Sequence, residues 1–400
     1  MTVGGADLAL ASRSVPAASI PPLHGLRVVA LEQYIAGPLC TQVLADAGAE
    51  VIKVERPEGD PRRHYPPMTT ADGRQLSGGF APFNRGKKSV VLDLATDEGR
   101  DDLARLLDSA ALLVTNLRPG VLDRLGLTPD VVATRHPELV HVEISGFGRS
   151  GGPFAGRPAF DAVVQAMGGL AWASADADGV PRLAAAGSAD VLAGMHAAFG
   201  ALAALTSRSL GRRTQHVDVS MYEVVVSFLQ RQVAVEAFGG AVPPGPDPYT
   251  PAGVFRAGDG GWLALLVTTD RLWQGLCSAL GAEDWLHDDR LAVAPGRGAA
   301  MADEILPRLT AWAATRTTEA VVQQLTAAGV PAGVVQTVAD VRSCPHLAAR
   351  GLFDLVQHEG GVAGPSVAGA ALRYDGNRPH VMRVPSLGEH TTEVLASLRT

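Results

Sequence analysis

The stretch from residue 26 to residue 57 alternates between apolar runs and a helical pattern, and this alternation limits the folds open to the chain. "LRVVALE" (26–32) and "EVIKVERP" (50–57) are β-branched runs, and "GPLCTQVLADAGA" (37–49) between them has helical spacing. Two strands joined by a helix pair in parallel, since the crossover brings the second strand in from the same end of the sheet. This unit predicts a parallel sheet in an α/β domain.

The same alternation continues to residue 148. Further strands are predicted over 88–95, 111–117 and 139–148, and an amphipathic helix with acids in its first turn is predicted over 97–110. The pattern is typical of a doubly wound α/β domain of Rossmann-like character. No GxGxxG follows the first strand and no GxxxxGK[ST] is present, which disfavours a dinucleotide dehydrogenase and a P-loop enzyme.

The pattern changes after residue 151. Helices are predicted over 160–173 and after Asp190, and a strand that enters a long helix is predicted over 215–240. A Pro- and Gly-rich stretch places a domain boundary near 230–250. The expected organisation is given by four segments: a flexible tail (1–20), a large α/β domain (21–225), a small domain (240–330) and a C-terminal segment that returns to the large domain (331–400).

Composition excludes several classes of protein. The 400 residues carry a formal net charge of -7 and only 5% aromatics, which argues against nucleic-acid binding. Cys40, Cys277 and Cys344 lie far apart without a CxxC pair, and His, Cys and acids form no cluster with metal-ligand spacing. We therefore expect no disulfide framework, no metal and a reducing cytoplasm. The first 20 residues lack a signal-peptide pattern, and no apolar run predicts a membrane span.

One acid, Asp190, lies in the small and apolar stretch "AAAGSADVLAGMHAAFGALAAL" (184–205). Two interpretations of this carboxylate are open. It caps the helix that follows, which is the more common role, because a short acid at a helix start accepts free backbone N–H groups. Alternatively it is a nucleophile held at the start of a buried helix.

Several motifs in order resemble the family III CoA-transferases, from about Leu23 to Leu398. The motifs that carry the resemblance are "LHGLRVVALEQYIAGPLCTQVLADAGAEVIKVERPEGDPRR", "FNRGKKSVVLDLATDEGRDDLARLL", "LRPGVLDRLGL", "ISGFGRSGGP", "PAFDAVVQAMGGL" and "PSLGEHTTEVL". The resemblance implies a Rossmann-like large domain with an inserted smaller α/β domain. It also implies a ring-shaped monomer in an interlocked homodimer, with active sites at the contact between chains.

The resemblance implies a nucleophilic role for Asp190, which would form an aspartyl-CoA thioester. CoA or acyl-CoA is then a substrate, with a carboxylic acid as the second small-molecule partner, and no cofactor is permanently bound. The positions that match CoA contacts in the family are Arg56, Leu92, Ala95, Asn116, Arg124 and Phe160. For an isolated arginine a solvated surface is the commoner role; within these motifs phosphate contact is favoured. Arg85, Lys87 and Lys88 either add to the positive field or belong to a solvated turn.

The residue before Asp161 separates branches of the family. Racemases of the family carry a histidine there as a base on the α-carbon, and Phe160 cannot exchange protons. The leading hypothesis is therefore an acyl-CoA:carboxylate CoA-transferase. The alternatives are an α-methylacyl-CoA racemase or other acyl-CoA isomerase, and a CoA-binding protein with a vestigial site. The Gly-rich stretch 251–261 offers either oxyanion-binding N–H groups or ordinary tight turns.

Overall fold

The computed structural model describes residues 20–71, 74–149, 151–176, 178–245, 251–358 and 363–398. Its strands are β1 (Arg27–Leu31), β2 (Glu50–Glu55), β3 (Met68–Ala71), β4 (Arg74–Ser77), β5 (Lys88–Val91), β6 (Leu112–Thr115), β7 (Val140–Ser145), β8 (His216–Ser220), β9 (Ala252–Arg256), β10 (Trp262–Leu266), β11 (Ala332–Val334), β12 (Phe353–Gln357) and β13 (Ala363–Ala368).

The α-helices are α1 (Ala36–Asp46), α2 (Ala81–Asn84), α3 (Asp97–Asp108), α4 (Pro119–Arg124), α5 (Pro129–Arg135), α6 (Asp161–Met167), α7 (Leu170–Ala173), α8 (Ser188–Ser209), α9 (Met221–Phe228), α10 (Gln230–Ala237), α11 (Asp270–Leu280), α12 (Ala294–Ala299), α13 (Leu306–Ala313), α14 (Thr318–Ala327), α15 (Val338–Arg342), α16 (Pro345–Ala349) and α17 (Thr391–Ser397). Short 3-10 turns occupy Pro61–His64, Glu283–His287 and Asp289–Leu291, and one π turn occupies Met301–Ile305.

The chain divides into two compact units. The first unit comprises Met1–Pro158, Asp190–Ser220 and Leu352–Thr400, as far as these segments are described, and the second comprises Ala159–Ala189 and Met221–Gly351. The sequence predicted a small domain over 240–330 and a return to the large domain at 331. The second unit has wider bounds, because α6, α7, α9 and α10 belong to it and because β11, α15 and α16 precede the return of the chain at Leu352. The predicted tail lies outside the described residues except for residue 20.

A six-stranded parallel sheet forms the centre of the first unit, in the order β5-β2-β1-β6-β7-β8. The prediction of an α/β fold with a parallel central sheet is confirmed. The apolar runs on which it rested are buried, since Val28, Val29 and Ala30 of β1 have no exposed surface. A parallel sheet covered on both faces requires such continuous apolar strands.

Strand β5 ends earlier than the apolar pattern predicts, at Val91 instead of residue 95. The Asp93 carboxylate accepts a hydrogen bond from the Ala95 N–H, and the Asp93 carbonyl accepts one from the Thr96 N–H. Thr96 then caps α3 through its hydroxyl group, which accepts from the Gly99 N–H. The turn and the cap together end the strand.

Two helices that the sequence predicted as continuous are interrupted. The stretch 160–173 forms α6 and α7, and the helix after residue 220 forms α9 and α10, with Leu229 between them. Gly169 separates α6 from α7 with a left-handed backbone (φ 86°). A Cβ atom on Gly168 would lie 2.5 Å from Val225 Cγ1, so the break also lets α6 pack closely against α9.

The second unit contains a three-stranded antiparallel sheet, β11-β10-β9. Trp273 and Trp285 stack with ring centroids 5.4 Å apart in the core beside it. Helix α11 ends at Leu280, and Gly281 directly after it adopts the left-handed conformation that terminates many helices. This unit thus has its own core.

The C-terminal segment of the first unit packs against the edge strand β5. The His390 N–H donates to the Ser89 carbonyl oxygen, and the Ser89 N–H donates to His390 Nδ1 at 3.3 Å. The Thr391 hydroxyl accepts from the Val91 N–H at 3.0 Å. These contacts join residues about 300 positions apart and attach the C-terminal segment to the sheet.

Among the described helices, α8 alone is long and apolar enough to cross a membrane, judged by length and composition. The small side chains of Ala193, Ala197 and Ala201 have no exposed surface. A Cβ atom on Gly194 would lie 2.7 Å from the Ala36 carbonyl oxygen, and one on Gly200 would lie 2.8 Å from Val217 Cγ1. Its small residues therefore bring α8 close to α1 and β8, as in a core helix.

Candidate active site

A cavity of about 320 Å³ opens at the carboxyl ends of the central parallel strands of the first unit. Strands β2 and β6 flank β1 on opposite sides. Open α/β sheets bind ligands at such a point, where the strand order reverses. The residues that line the cavity are Leu31, Glu32, Gln33, Val54, Glu55, Arg56, Gly59, Asp60, Leu92, Leu94, Leu117 and Val121.

Two of the predicted CoA-contacting residues, Arg56 and Leu92, line this cavity. Leu92 is buried, whereas the Arg56 side chain is 62% exposed and lies 3.6 Å from Glu58. Arg124 is exposed at the end of α4, one helical turn after Val121 of the cavity wall. Among the described residues, Arg124 has no hydrogen bond or ion pair, so its guanidinium is available to an anion.

Asn116 and Ala95 do not line the cavity. Asn116 uses its amide to hold the Gln33 backbone: its Oδ1 accepts from the Gln33 N–H at 2.8 Å and its Nδ2 donates to the Gln33 carbonyl at 2.7 Å. The residue therefore fixes a segment of the cavity wall. Ala95 is exposed in the turn after β5.

The basic residues of 85–88 all have partners inside the protein. Arg85 is buried and forms an ion pair with Asp46, and Lys88 contacts Glu50 and Glu393 at 3.0 and 2.9 Å. Lys87 has no exposed side chain and donates to Glu32 at 2.7 Å. Neither a free positive field nor a solvated turn describes Arg85 and Lys87, which are buried in ion pairs. The Lys88 side chain is 32% exposed beside two carboxylates and fits the solvated alternative.

A buried ionic cluster under the cavity was missed by sequence reasoning. Lys53 lies 2.9 Å from Asp60 and 3.7 Å from Glu32, and Thr41 donates to Glu32. Burial lowers the pKa of Lys87 to about 8, and the nearby Glu32 carboxylate limits the fall. The signal was a lysine inside the apolar strand "EVIKVE", because a buried lysine needs an acid nearby.

Glu55, at the end of β2, joins the cavity wall to the C-terminal segment. It accepts from Arg63 through both oxygens, at 2.6 and 2.8 Å, and from the Ser89 hydroxyl at 2.6 Å. Burial alone would raise the pKa of Glu55, but the hydrogen bonds from Arg63 and the charge of Lys53 hold it at about 2. The carboxylate therefore stays ionised at neutral pH.

The contacts at the start of α8 bear on the two interpretations of Asp190. Asp161, in the first turn of α6, accepts from the Gly187 N–H at 3.0 Å and from the Ala189 N–H at 2.8 Å. Gln165 donates to the same carboxylate at 2.7 Å and thereby orients it. Two N–H groups directly before Asp190 are thus bound by Asp161, and Asp190 itself is partly exposed.

Within the first unit, α1 connects Asp190 to the cavity wall. Asp190 and Gly194 lie four residues apart, on one face of α8. Gly194 packs against Ala36, and a Cβ atom on Gly37 would lie 3.0 Å from the Asn116 side chain. Since Asn116 holds Gln33, one continuous series of contacts runs from the start of α8 to the cavity.

Other predicted candidates have different outcomes. Phe160, in the second unit, is 58% exposed and directly precedes α6. The stretch 251–261 forms the hairpin of β9 and β10, and the N–H groups of Gly258, Gly260 and Gly261 donate to Ala313, Ala257 and Asp259. These three groups are therefore not available to an oxyanion. The interpretation as an ordinary tight turn fits this segment.

Comparisons with known proteins found relatives along almost the whole chain. The sequence model of CoA-transferase family III matches residues 23–391 of this chain. The chain is 34% identical over 387 residues to the succinyl-CoA:mesaconate CoA-transferase of Haloarcula hispanica, covering 93% of this chain and 95% of the relative. It is 34% identical over 401 residues to the succinate–glutarate CoA-transferase of Agrobacterium fabrum, with 95% and 96% covered. The crystal structure of a CaiB/BaiF family protein from Brucella suis superposes with a TM-score of 0.81 at 30% identity, covering 95% of this chain and 100% of that one.

Proposed function

The chain belongs to CoA-transferase family III, and from that premise we propose that it moves CoA from an acyl-CoA thioester to a free carboxylic acid through Asp190. The observation that carries the assignment of Asp190 is the cap at the start of α8. Asp161 accepts from the N–H groups of Gly187 and Ala189, so these two donors before Asp190 do not depend on the Asp190 carboxylate.

The proposed reaction needs no net proton transfer. A carboxylate oxygen of Asp190 attacks the thioester carbonyl carbon, the C–S bond breaks, and CoA leaves as the thiolate with a mixed anhydride on the enzyme. The thiolate then attacks the aspartyl carbonyl carbon and expels the donor acid as its carboxylate. This gives an aspartyl-CoA thioester.

The second half of the reaction reverses these steps with the acceptor. The acceptor carboxylate attacks the aspartyl thioester, CoA thiolate leaves, and the thiolate then attacks the acceptor carbonyl of the new anhydride. Asp190 is regenerated as a carboxylate, and the acceptor leaves as its CoA thioester. Every intermediate remains an activated acyl group, so the reaction requires exclusion of water rather than an external energy source.

The cavity of the first unit supplies a place for the nucleotide portion of CoA. Its wall combines leucines, among them Leu92 and Leu94, with the Arg56 guanidinium, which suits an adenine base beside phosphates. Among the described residues, the Arg124 side chain has no ion pair and lies one helical turn after Val121 of this wall, and we assign it a phosphate contact. CoA is a substrate in this scheme, and we propose no permanently bound cofactor. Ala95, Asn116 and Phe160 stay predicted contacts, with Asn116 acting through the Gln33 backbone.

We propose an interlocked homodimer of ring-shaped chains with an inserted smaller domain. The support is an apolar stripe on the outer face of α8: Val191, Met195, Phe199 and Leu202 are between 39% and 74% exposed. These residues recur at i, i+4, i+8 and i+11 and so lie on one side of the helix. A second copy of the chain is the partner that would bury them. All three cysteines are free, which suits the cytoplasm.

The test is a transfer assay with a panel of donors and acceptors. Succinyl-CoA is the first donor, with mesaconate and glutarate among the acceptors, because the relatives named above act on them according to their names. New CoA thioesters are identified by mass. We expect transfer by the wild type and by Asp130→Asn, which removes a first-turn acid from the exposed helix α5, and none by Asp190→Asn.

Two outcomes would contradict the proposal. Substantial transfer by Asp190→Asn would exclude the aspartyl intermediate. Incorporation of deuterium at the α-carbon of an acyl-CoA without any acceptor acid would instead indicate a racemase or isomerase. CoA binding without transfer across the whole panel would favour the non-catalytic alternative.

A further inference from the structure

Two histidines and a glutamate meet on one face of the central sheet, and one of the histidines comes from a strand distant in the sequence. His141 and Glu143 are two residues apart on β7, so their side chains share a face. His216 on β8 is the register partner of His141, and the two rings lie 5.4 Å apart. One ligand atom from each of the three residues lies within 4.8 Å of those of the other two.

The polar atoms of this cluster are buried and incompletely bonded. His141 is 1% exposed and Glu143 is fully buried. Within the described part of the chain, His141 Nδ1, Glu143 Oε1 and His216 Nε2 are buried and have no hydrogen-bond partner. A buried polar atom without a partner is destabilising, so three in one cluster favour a bound ligand or water.

The neighbours of the cluster orient its members as ligands. The His141 Nε2 atom shares a 3.2 Å hydrogen bond with the Thr115 hydroxyl, and when Nε2 carries the proton, Nδ1 presents its lone pair. A ligating histidine in metalloproteins has such an outer partner on its second nitrogen. Glu143 Oε2 accepts from Arg149 Nε at 2.5 Å and lies 3.5 Å from His216 Nε2, which leaves Oε1 open.

The charged side chains around the cluster permit a cation to bind. Arg149 is the guanidinium next to Glu143, and it is also bonded to Asp123 at 2.9 Å and, through its backbone N–H, to Asp218 at 3.0 Å. Two carboxylates, those of Glu143 and Asp123, therefore contact the one guanidinium, and Asp218 lies at its backbone, so the local charge is negative and favours a cation. Of these carboxylates only Glu143 is deeply buried, so it would be the one to bind the ion.

We propose that His141, Glu143 and His216 form a binding site for a divalent transition-metal ion of the zinc class. Two imidazole nitrogens and one carboxylate oxygen are a ligand set that zinc uses, with a fourth position open to water. Ligand atoms around one tetrahedral zinc lie about 3.4 Å apart, so small side-chain rotations would close the cluster around the ion. The ion would bind β8, the edge strand, to β7.

Spacing along the chain could not indicate this site. His216 follows Glu143 by more than seventy residues, and the three side chains meet only because of the register between β7 and β8. The expectation of no metal rested on that spacing. This inference is independent of the proposed transfer reaction.

The test uses the full-length chain, stripped with a chelator and then titrated with Zn²⁺. We expect about one tightly bound zinc per chain and a rise of several degrees in Tm at saturating Zn²⁺. Both effects should be lost in His216→Gln. They should be kept in His346→Gln, which removes an exposed histidine elsewhere in the chain.

A second measurement keeps the proposal testable even if His216→Gln fails to fold. A crystal of the wild type, soaked in Zn²⁺ and measured at the zinc absorption edge, should show an anomalous peak between His141 Nδ1, Glu143 Oε1 and His216 Nε2. The absence of that peak, or zinc binding and Tm effects that survive in folded His216→Gln, would overturn the proposal.

Discussion

At the scale of single residues, two carboxylates, one from α6 and one from α8, lie near the start of α8. Asp161 binds the N–H groups of Gly187 and Ala189, whereas Asp190 lies partly exposed in the first turn. The sequence pointed to Asp190 through its motif. It could not identify Asp161 as the cap, because the capping contact spans 28 residues and depends on how α6 is placed. Local capping rules read only neighbouring residues.

The first prediction concerns Arg124. Arg124→Ala should weaken CoA binding roughly ten- to hundredfold, because a charge-assisted contact to a phosphate contributes about 1.5–3 kcal/mol. The affinity of the wild type should also fall as salt rises, and the variant should respond less. Titration calorimetry with CoA at two salt concentrations measures both. Arg271→Ala, which removes an exposed arginine of the second unit, is the control and should bind CoA like the wild type.

The second prediction concerns the pH dependence of stability that Glu55 confers. Its pKa is about 2 in the folded chain and 4.5 in an ordinary environment, so its stabilising effect is complete above about pH 4.5 and fades as the pH falls towards 2. The full effect is about 3 kcal/mol. The free energy of unfolding of the wild type should therefore exceed that of Glu55→Gln at pH 6 by more than it does at pH 3. Urea titrations at both pH values measure this, and an equal difference at both would contradict the assignment.

At the scale of secondary-structure elements, the sequence predicted the parallel strands and their helices well. The β-branched runs of β1, β2 and β7 are buried on both faces, which makes their signal strong. The breaks between α6 and α7 and between α9 and α10 were missed. They are set by tertiary packing, as the close approach of Gly168 to Val225 shows. The position of the cavity follows from the order of the strands in the sheet. The spacing of residues along the sequence does not predict that order.

The third prediction concerns the packing of α8 against α1. Gly194→Val should lower the free energy of unfolding by about 1–3 kcal/mol, because its Cβ atom would meet the Ala36 carbonyl oxygen at 2.7 Å and a backbone atom cannot rotate away. The better helix propensity of valine offsets only part of this. Gly152→Val is the control, since a Cβ atom there has no neighbour within 4 Å. Thermal unfolding of the two variants measures the difference, and equal Tm values would contradict the close contact.

At the scale of the whole molecule, the exposed stripe on α8 is the feature that a single chain leaves unexplained. Phe199 at its centre is 74% exposed. A surface of this kind is typical of a protein–protein interface. The sequence indicated the dimer only through the family resemblance. The residue pattern of α8 does not show which partner buries its outer face.

The fourth prediction is therefore a homodimer that persists on dilution to nanomolar concentration, as interlocked chains should. Light scattering and mass photometry measure the state. Phe199→Asp should weaken or prevent assembly, whereas Asp130→Asn, on the exposed helix α5, should not. A wild-type chain that is monomeric and fully folded would exclude the interlocked arrangement.

The most direct test of the central claim is the intact mass of the protein after mixing with an acyl-CoA donor and no acceptor acid. The wild type should gain the mass of one CoA less one water, hydroxylamine should release it, and peptide mapping should place it on Asp190. Asp190→Asn should fold, bind CoA and show no adduct. An adduct on Asp161, or an unmodified wild type that still transfers CoA under conditions that trap acyl-enzyme thioesters, would contradict the proposed mechanism.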